Sequence, residues 1–125
     1  MSDALIDATE AADRAAAELP HWQLLDGWLC RRLSTGGWKS TLLAANAAGH
    51  LAEAAWHHPE LRLGFDWLEI RLQTHNAGGL TDKDFALAAL MEQVLCWRPA
   101  PDSPLEGTPD EPRWRHVQEI GRAHV

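Results

Sequence analysis

The sequence predicts an α+β two-layer sandwich: a four-stranded antiparallel sheet, helices on one face, element order αββαββα. Three observations predict it. Leu61, Leu63 and Phe65, then Leu68, Ile70 and Leu72, alternate with polar or small residues, the period of half-buried strands. Asp26-Gly27 splits two short apolar runs, a strong hairpin signal. Three Ala- or Leu-rich stretches repeat at steps of three and four, the period of helices packed on one side. The 125 residues are one domain's worth of chain, long enough for a small core.

Taken in order, residues 3–19 predict a helix with Leu5, Ala8, Ala12, Ala16 and Leu19 on one face. Ser2 or Asp3 caps it, and Pro20 ends it. Trp22–Leu25 and Trp28–Leu33 form the hairpin strands. Gly36-Gly37 breaks the chain before a long helix over 38–57. Its expected buried face is Leu42, Ala45, Gly49, Ala52 and Trp56, small enough to lie close against a sheet. Pro59 pushes His58 out of the helical region and stops the helix. The two alternating segments, 61–66 and 67–74, supply the last strands. Asn76-Ala77-Gly78-Gly79 forms a loop, and Thr81 opens a final helix with Phe85, Leu87, Ala88, Leu90 and Met91 buried. Five of the seven prolines fall between Pro99 and Pro112, a composition that reads as an extended tail. Trp114, Val117 and Ile120 are its candidates for docking as a short terminal helix. The predicted organisation is thus a helical extension over 1–19, a core domain over 20–97 and a Pro-rich tail over 98–125.

Composition excludes several classes. The formal charge is −7, with 11 basic and 18 acidic residues and no basic run, so the chain is poorly suited to gripping nucleic-acid phosphates. The same charge disfavours an anionic membrane surface. No apolar run reaches the roughly 18–20 residues of a membrane span. The first 20 residues are acidic and read as no secretory signal. Cys30 and Cys96 lie far apart without CxxC spacing, against a zinc knuckle or redox motif. Two such cysteines fit a reducing cytoplasm, although a disulfide stays open at this level.

Seven histidines beside two cysteines are the unusual entry. Three of them fall in two polar segments, Glu53-Ala-Ala-Trp-His57-His58-Pro59 and Thr74-His75-Asn76 through Asp84. Glu53 and His57, four apart, share a helical face. His57 and His58 fall at a helix C-terminus, where the dipole favours imidazolium. His75 ends the fourth strand, at an end that this topology can bring to the C-terminus of the long helix. Imidazole titrates near pH 6.5, so such a cluster suits proton transfer. One histidine can protonate a leaving hydroxyl while another removes a proton, the requirement of a dehydration, and Asp84 can orient or charge His75. Plainer readings stand beside these. Thr81-x-x-Asp84 is also a capping box. Glu53 and His57 also make a surface pair. His50, Glu53 and His57 share a face that could take a metal but lack a fourth ligand. Trp56 or Trp67 can either pack or stack on a bicyclic ligand. His21, His50, His116 and His124 carry no assigned chemistry.

Glu53-x3-His57-His58-Pro59, Phe65, His75 after nine intervening residues and Asp84 after eight more resemble the signature of the pterin-4a-carbinolamine (4a-hydroxytetrahydrobiopterin) dehydratases. THNAGGLTDKDFALA is similar to that family's third-histidine loop and last helix. The resemblance covers roughly residues 20–97. It implies the αββαββα fold and a pterin substrate, dehydrated from the 4a-hydroxytetrahydropterin to the quinonoid dihydropterin without metal or cofactor. It also implies His57 and His75 as acid and base, His58 as a pterin-binding imidazole, and Glu53, Pro59 and Asp84 as supporting residues. Homodimers or homotetramers are implied too, in keeping with the exposed edges of such a sheet. HLAEAAWHHPEL, THNAGGLTDKDFALA and VLCWRP are similar to a branch of dehydratase-like proteins linked to carbon fixation. That likeness implies an alternative role, assembling Rubisco subunits.

Overall fold

The computed structural model describes residues 3–118. Helix α1 spans Ala8–Glu18, strands β1 and β2 span Gln23–Leu25 and Trp28–Ser34, and helix α2 spans Trp38–Ala55. Strands β3 (Glu60–Gly64) and β4 (Trp67–Leu72) follow, then helix α3 over Asp82–Leu95. The sheet is antiparallel throughout, in the order β1-β2-β4-β3. The expected α+β sandwich and its αββαββα order are therefore what the chain adopts.

Period-two patterning decides which sheet face is buried. Leu29 pairs with Leu72, Arg31 with Ile70 and Leu33 with Leu68, all on the face under the helices. Between them, Cys30, Arg32 and Ser34 pair with Arg71, Glu69 and Trp67 on the open face. There Arg32 stacks 4.1 Å over the Trp67 ring. The β1–β2 turn is built by Asp26 (φ 52°) and Gly27 (φ 84°). Two consecutive positive φ values match the twist of a tight hairpin, which Asp-Gly supplies at little cost.

The helices lie where expected but turned about their axes. In α1 the buried stripe is Ala11, Ala15 and Leu19, while Leu5, Ala12 and Ala16 face outward. The helix starts later than expected because the side chain of Asp7, not Ser2 or Asp3, accepts from Glu10 N at 2.8 Å; Ser2 lies outside the described residues. In α2 the buried stripe is Thr41, Ala44, Ala48 and Ala52, one position from the expected one. Leu42, Gly49 and Trp56 are exposed. Alanines on both candidate stripes leave the hydrophobic phase open, and the packing takes the stripe of Ala44, Ala48 and Ala52. In α3, Phe85, Leu87, Ala88 and Met91 are buried as expected, but Leu90 is 38% exposed.

The tail is not a simple extension. After α3 the chain folds back, and Gln118 N donates to Ser34 O at 2.8 Å in a single antiparallel bridge. It thereby sits beside the part of β2 that the three-residue β1 leaves unpaired. His116 Nδ1 lies 2.7 Å from Ser40 Oγ near the start of α2. The Arg115 carbonyl crosses Gly36 so closely that a Cβ there would lie 1.8 Å from it. Trp114 ends a single 3-10 turn, Pro112–Trp114, and stays half exposed, whereas Val117 packs against the core. Ile120 and His124 lie outside the described residues. No helix of the described residues is long and apolar enough to cross a membrane.

Candidate active site

The site forms where the C-terminus of α2, the end of β4 and the N-terminus of α3 meet. Helix α2 stops at Ala55, two residues before the expected end. Trp56 turns left-handed (φ 55°, ψ 47°), and the amides of Trp56 and His57 close back on Glu53 O and Ala52 O. A non-glycine residue in that conformation costs about 1–2 kcal/mol. Pro59 still bars helix at His58, but the chain has already left the helix. The turn sends His57 and His58 in different directions. His57 points inward to α3, while His58 folds back over its own helix end.

This changes the expected partners. Asp84 was expected to orient His75; instead its Oδ1 lies 2.7 Å from His57 Nε2. Glu53 was expected to share a face with His57; instead its Oε1 lies 2.9 Å from His58 Nε2. The metal alternative built on His50, Glu53 and His57 loses its convergence, because Glu53 and His57 turn to separate partners. The His57 imidazole is 13% exposed and Asp84 is fully buried. His58 and Glu53 are both exposed, and the Trp56 ring meets His58 edge-on at 4.9 Å.

Asp84 is held from three sides. Its Oδ2 accepts from Thr74 Oγ1 at 2.7 Å and from Thr81 N at 2.9 Å. Thr81 caps α3 in return, so the expected capping box is present and the same carboxylate also serves His57. With these two donors the buried Oδ2 is a satisfied acceptor. With Nε2 engaged, Nδ1 is the ring nitrogen that His57 has left for proton exchange.

His75 follows Thr74 directly, in a 3-10 turn over His75–Ala77. Thr74 and His57 grip the same carboxylate, so the end of β4 does lie at the C-terminus of α2. The His75 ring itself is exposed, and no hydrogen bond joins it to the other histidines among the described residues. Trp56 is 75% exposed beside this site, whereas Trp67 lies on the open sheet face under Arg32. The sequence predicts no role for Thr74. Its position just before His75, seven residues before another threonine, was the available signal.

A second polar cluster lies in the core, away from these residues. Arg31 Nε and Nη2 contact the two carboxylate oxygens of Glu92 at 2.8 and 3.1 Å, and Trp22 Nε1 donates to Glu92 at 2.8 Å. It ties β2 and the residue before β1 to α3. Both cysteines are free and lie on opposite sides of the sheet, Cys96 beside Arg31 and Cys30 on the face of Arg71.

Comparison with known proteins gives the family and the fold. Residues 4–94 match the sequence model of a family described as pterin 4 alpha carbinolamine dehydratase. A protein of Aquifex aeolicus, provisionally named pterin-4-alpha-carbinolamine dehydratase, is 36% identical over 69% of this chain and 87% of its own length. One of the same name from Haloarcula marismortui is 41% identical over 75% of this chain and 98% of its own. Among solved structures, a Brucella melitensis protein described as a transcriptional coactivator/pterin dehydratase shares the fold. Its TM-score is 0.67 at 22% identity, over 74% of this chain and 99% of that one. A pterin dehydratase-like protein described as a RuBisCO assembly factor in the alpha-carboxysome aligns with a TM-score of 0.49 at 23% identity. That alignment covers 59% of this chain and 86% of the other.

Proposed function

The chain belongs to the pterin-4a-carbinolamine dehydratase family, and from that premise we propose that it dehydrates 4a-hydroxytetrahydropterin to the quinonoid dihydropterin. The observation that carries this reading is the mostly buried His57 imidazole backed by the buried Asp84 carboxylate. A carbinolamine holds a hydroxyl and a nitrogen on one carbon. Dehydration breaks the C–O bond, and the hydroxyl leaves as water after gaining a proton. The adjacent N–H gives up its proton, and its electron pair forms the C=N bond. Protons balance, so the step needs one acid and one base, the work of two imidazoles.

In this reading His57 exchanges its proton through Nδ1 while Asp84 holds the ring. His75, standing in solvent on the next turn, is the second proton carrier. His58, steadied by Glu53, contacts the pterin, and Pro59 fixes the backbone beyond it. The test is turnover of a carbinolamine generated in situ by purified protein, beside His57→Ala and His75→Ala. Each variant should lose roughly 10²–10⁴-fold with the fold retained; unchanged turnover in both removes the reading.

A second reading, assembly of Rubisco subunits, is favoured by one observation: the docked segment up to Gln118 lies beyond the family match, which ends at residue 94. Co-expression with Rubisco should then raise its assembled yield, and no change in yield would count against this role. Self-association fits either reading, since among the described residues β3 is an unpaired sheet edge with Leu63 exposed. Sedimentation velocity would reveal it.

A further inference from the structure

We propose that Thr74 is a positioning residue: its hydroxyl, aligned by the N-cap of α3, fixes Asp84 as an acceptor and so sets neutral His57 in the tautomer protonated at Nε2. The proposal rests on the acid/base reading of His57 given above and adds to it the residue that keeps Nδ1 free to act.

Lys83 N–H, at the first turn of α3, can only donate, and it reaches Thr81 Oγ1 at 3.3 Å. Thr81 Oγ1 also lies 2.7 Å from Thr74 Oγ1, where either oxygen could be the donor. Thr74 Oγ1 lies a further 2.7 Å from Asp84 Oδ2. A hydroxyl has one hydrogen. Were the Thr74 hydrogen turned to Thr81, Thr74 would face the carboxylate lone pair to lone pair. A proton on Oδ2 could relieve that contact only by sitting on an oxygen that already accepts from Thr81 N. The consistent arrangement points one way: Lys83 N–H to Thr81, Thr81 O–H to Thr74, Thr74 O–H to Asp84. Oδ2 is then filled by two donors, and Oδ1 is left as acceptor for His57 Nε2–H at 2.7 Å. The neutral ring keeps its lone pair on Nδ1.

The three side chains of this relay are buried: Thr74 is 5% exposed, and Thr81 and Asp84 are fully buried. Water therefore cannot readily substitute for the missing donor, and a hydrogen bond to a carboxylate carries more weight than one between neutral groups.

The test compares Thr74→Val, which keeps shape and removes the hydroxyl, with Thr74→Ser, which restores it. Carbinolamine turnover should show kcat lowered roughly 10- to 100-fold in Thr74→Val. KM should stay near the wild-type value, and Thr74→Ser should recover kcat. Ring-nitrogen NMR of His57, assigned by the signals lost in His57→Gln, should show Nε2–H in the neutral wild-type ring. A substantial Nδ1–H population should appear in Thr74→Val, where the carboxylate, short of one donor, turns away from Nε2 or takes a proton onto Oδ1. A neutral wild-type ring protonated at Nδ1 overturns the proposal, as does a folded Thr74→Val with wild-type kcat and tautomer. A wild-type ring protonated at Nδ1 overturns the proposal even where Thr74→Val does not fold, and Thr74→Ser then supplies the folded comparison. Absence of any turnover by wild type would remove the dehydratase reading and leave the tautomer measurement to judge Thr74 by itself.

Discussion

His57 Nε2 lies 2.7 Å from one oxygen of Asp84, and the other oxygen of that carboxylate closes the capping box of α3. One side chain therefore carries two duties, which substitutions can separate. Asp84→Asn retains an acceptor for the cap but not a carboxylate for the imidazole. Turnover should fall roughly 10²–10⁴-fold, with only a small change in stability. Asp84→Ala removes both duties and should also cost roughly 2–4 kcal/mol, a lost cap plus stranded buried donors. Urea denaturation beside steady-state kinetics checks this; equal destabilisation by the two variants would contradict it.

Arg31 is 3% exposed, and its guanidinium is matched by Glu92. Removing one partner strands a buried charge, so Glu92→Ala should destabilise by roughly 3–5 kcal/mol, whereas Arg31→Met with Glu92→Leu should come near neutral. Burial alone would raise the Glu92 carboxyl, but hydrogen bonds and charge from Arg31, with the Trp22 indole, hold it below its ordinary value. A carboxylate depressed in the folded state lends stability above its unfolded pKa of about 4.3, and loses it as pH falls through the folded value. Melting curves from pH 7 downward should show wild-type stability falling below about pH 4. Glu92→Gln should be less stable at neutral pH and show a shallower acid slope; parallel slopes would refute the linkage.

The thiols should be slow to react. Burial, then the charge of Glu92, pushes Cys96 up to about 11, and burial raises Cys30. At pH 8 a thiol near 11 is thiolate about one part in a thousand, so native Cys96 should react roughly two orders of magnitude slower than in the unfolded chain. Timed alkylation with mass spectrometry measures this. Fast native labelling of Cys96 would contradict the burial that the structure assigns to it.

Gly36 is where the tail crosses the domain. Its missing Cβ leaves room for the Arg115 carbonyl, so Gly36→Ala should lift the tail while the sheet and helices stay folded. Limited trypsin digestion should then cut after Arg113 or Arg115 faster than in wild type, with the circular dichroism spectrum little changed. Unaltered cleavage would show that the crossing does not hold the tail.

Much of this architecture is legible locally. Asp26-Gly27 encodes its own turn, Thr81 and Asp84 encode their own cap, and the alternation around Ile70 encodes a half-buried strand. The errors arise where neighbours in sequence carry no direction. The alanines at 11, 12, 15 and 16 fit two helix phases equally, and so do those at 44, 45, 47, 48 and 52. The left-handed turn at Trp56 is equally hidden, because nothing in a Trp-His-His-Pro run marks where the helix is left.

The sequence by itself determined the class, the element order and which histidines and carboxylates stand at family spacing, because periodicity, turn chemistry and capping act within a few residues. Only the tertiary structure decided who meets whom. Asp84 belongs to His57 and Glu53 to His58, since one left-handed residue redirects both imidazoles. Arg31 finds Glu92, 61 residues away, and the tail finds Ser34, because a buried charge and an unpaired strand edge each need a partner that local sequence cannot name.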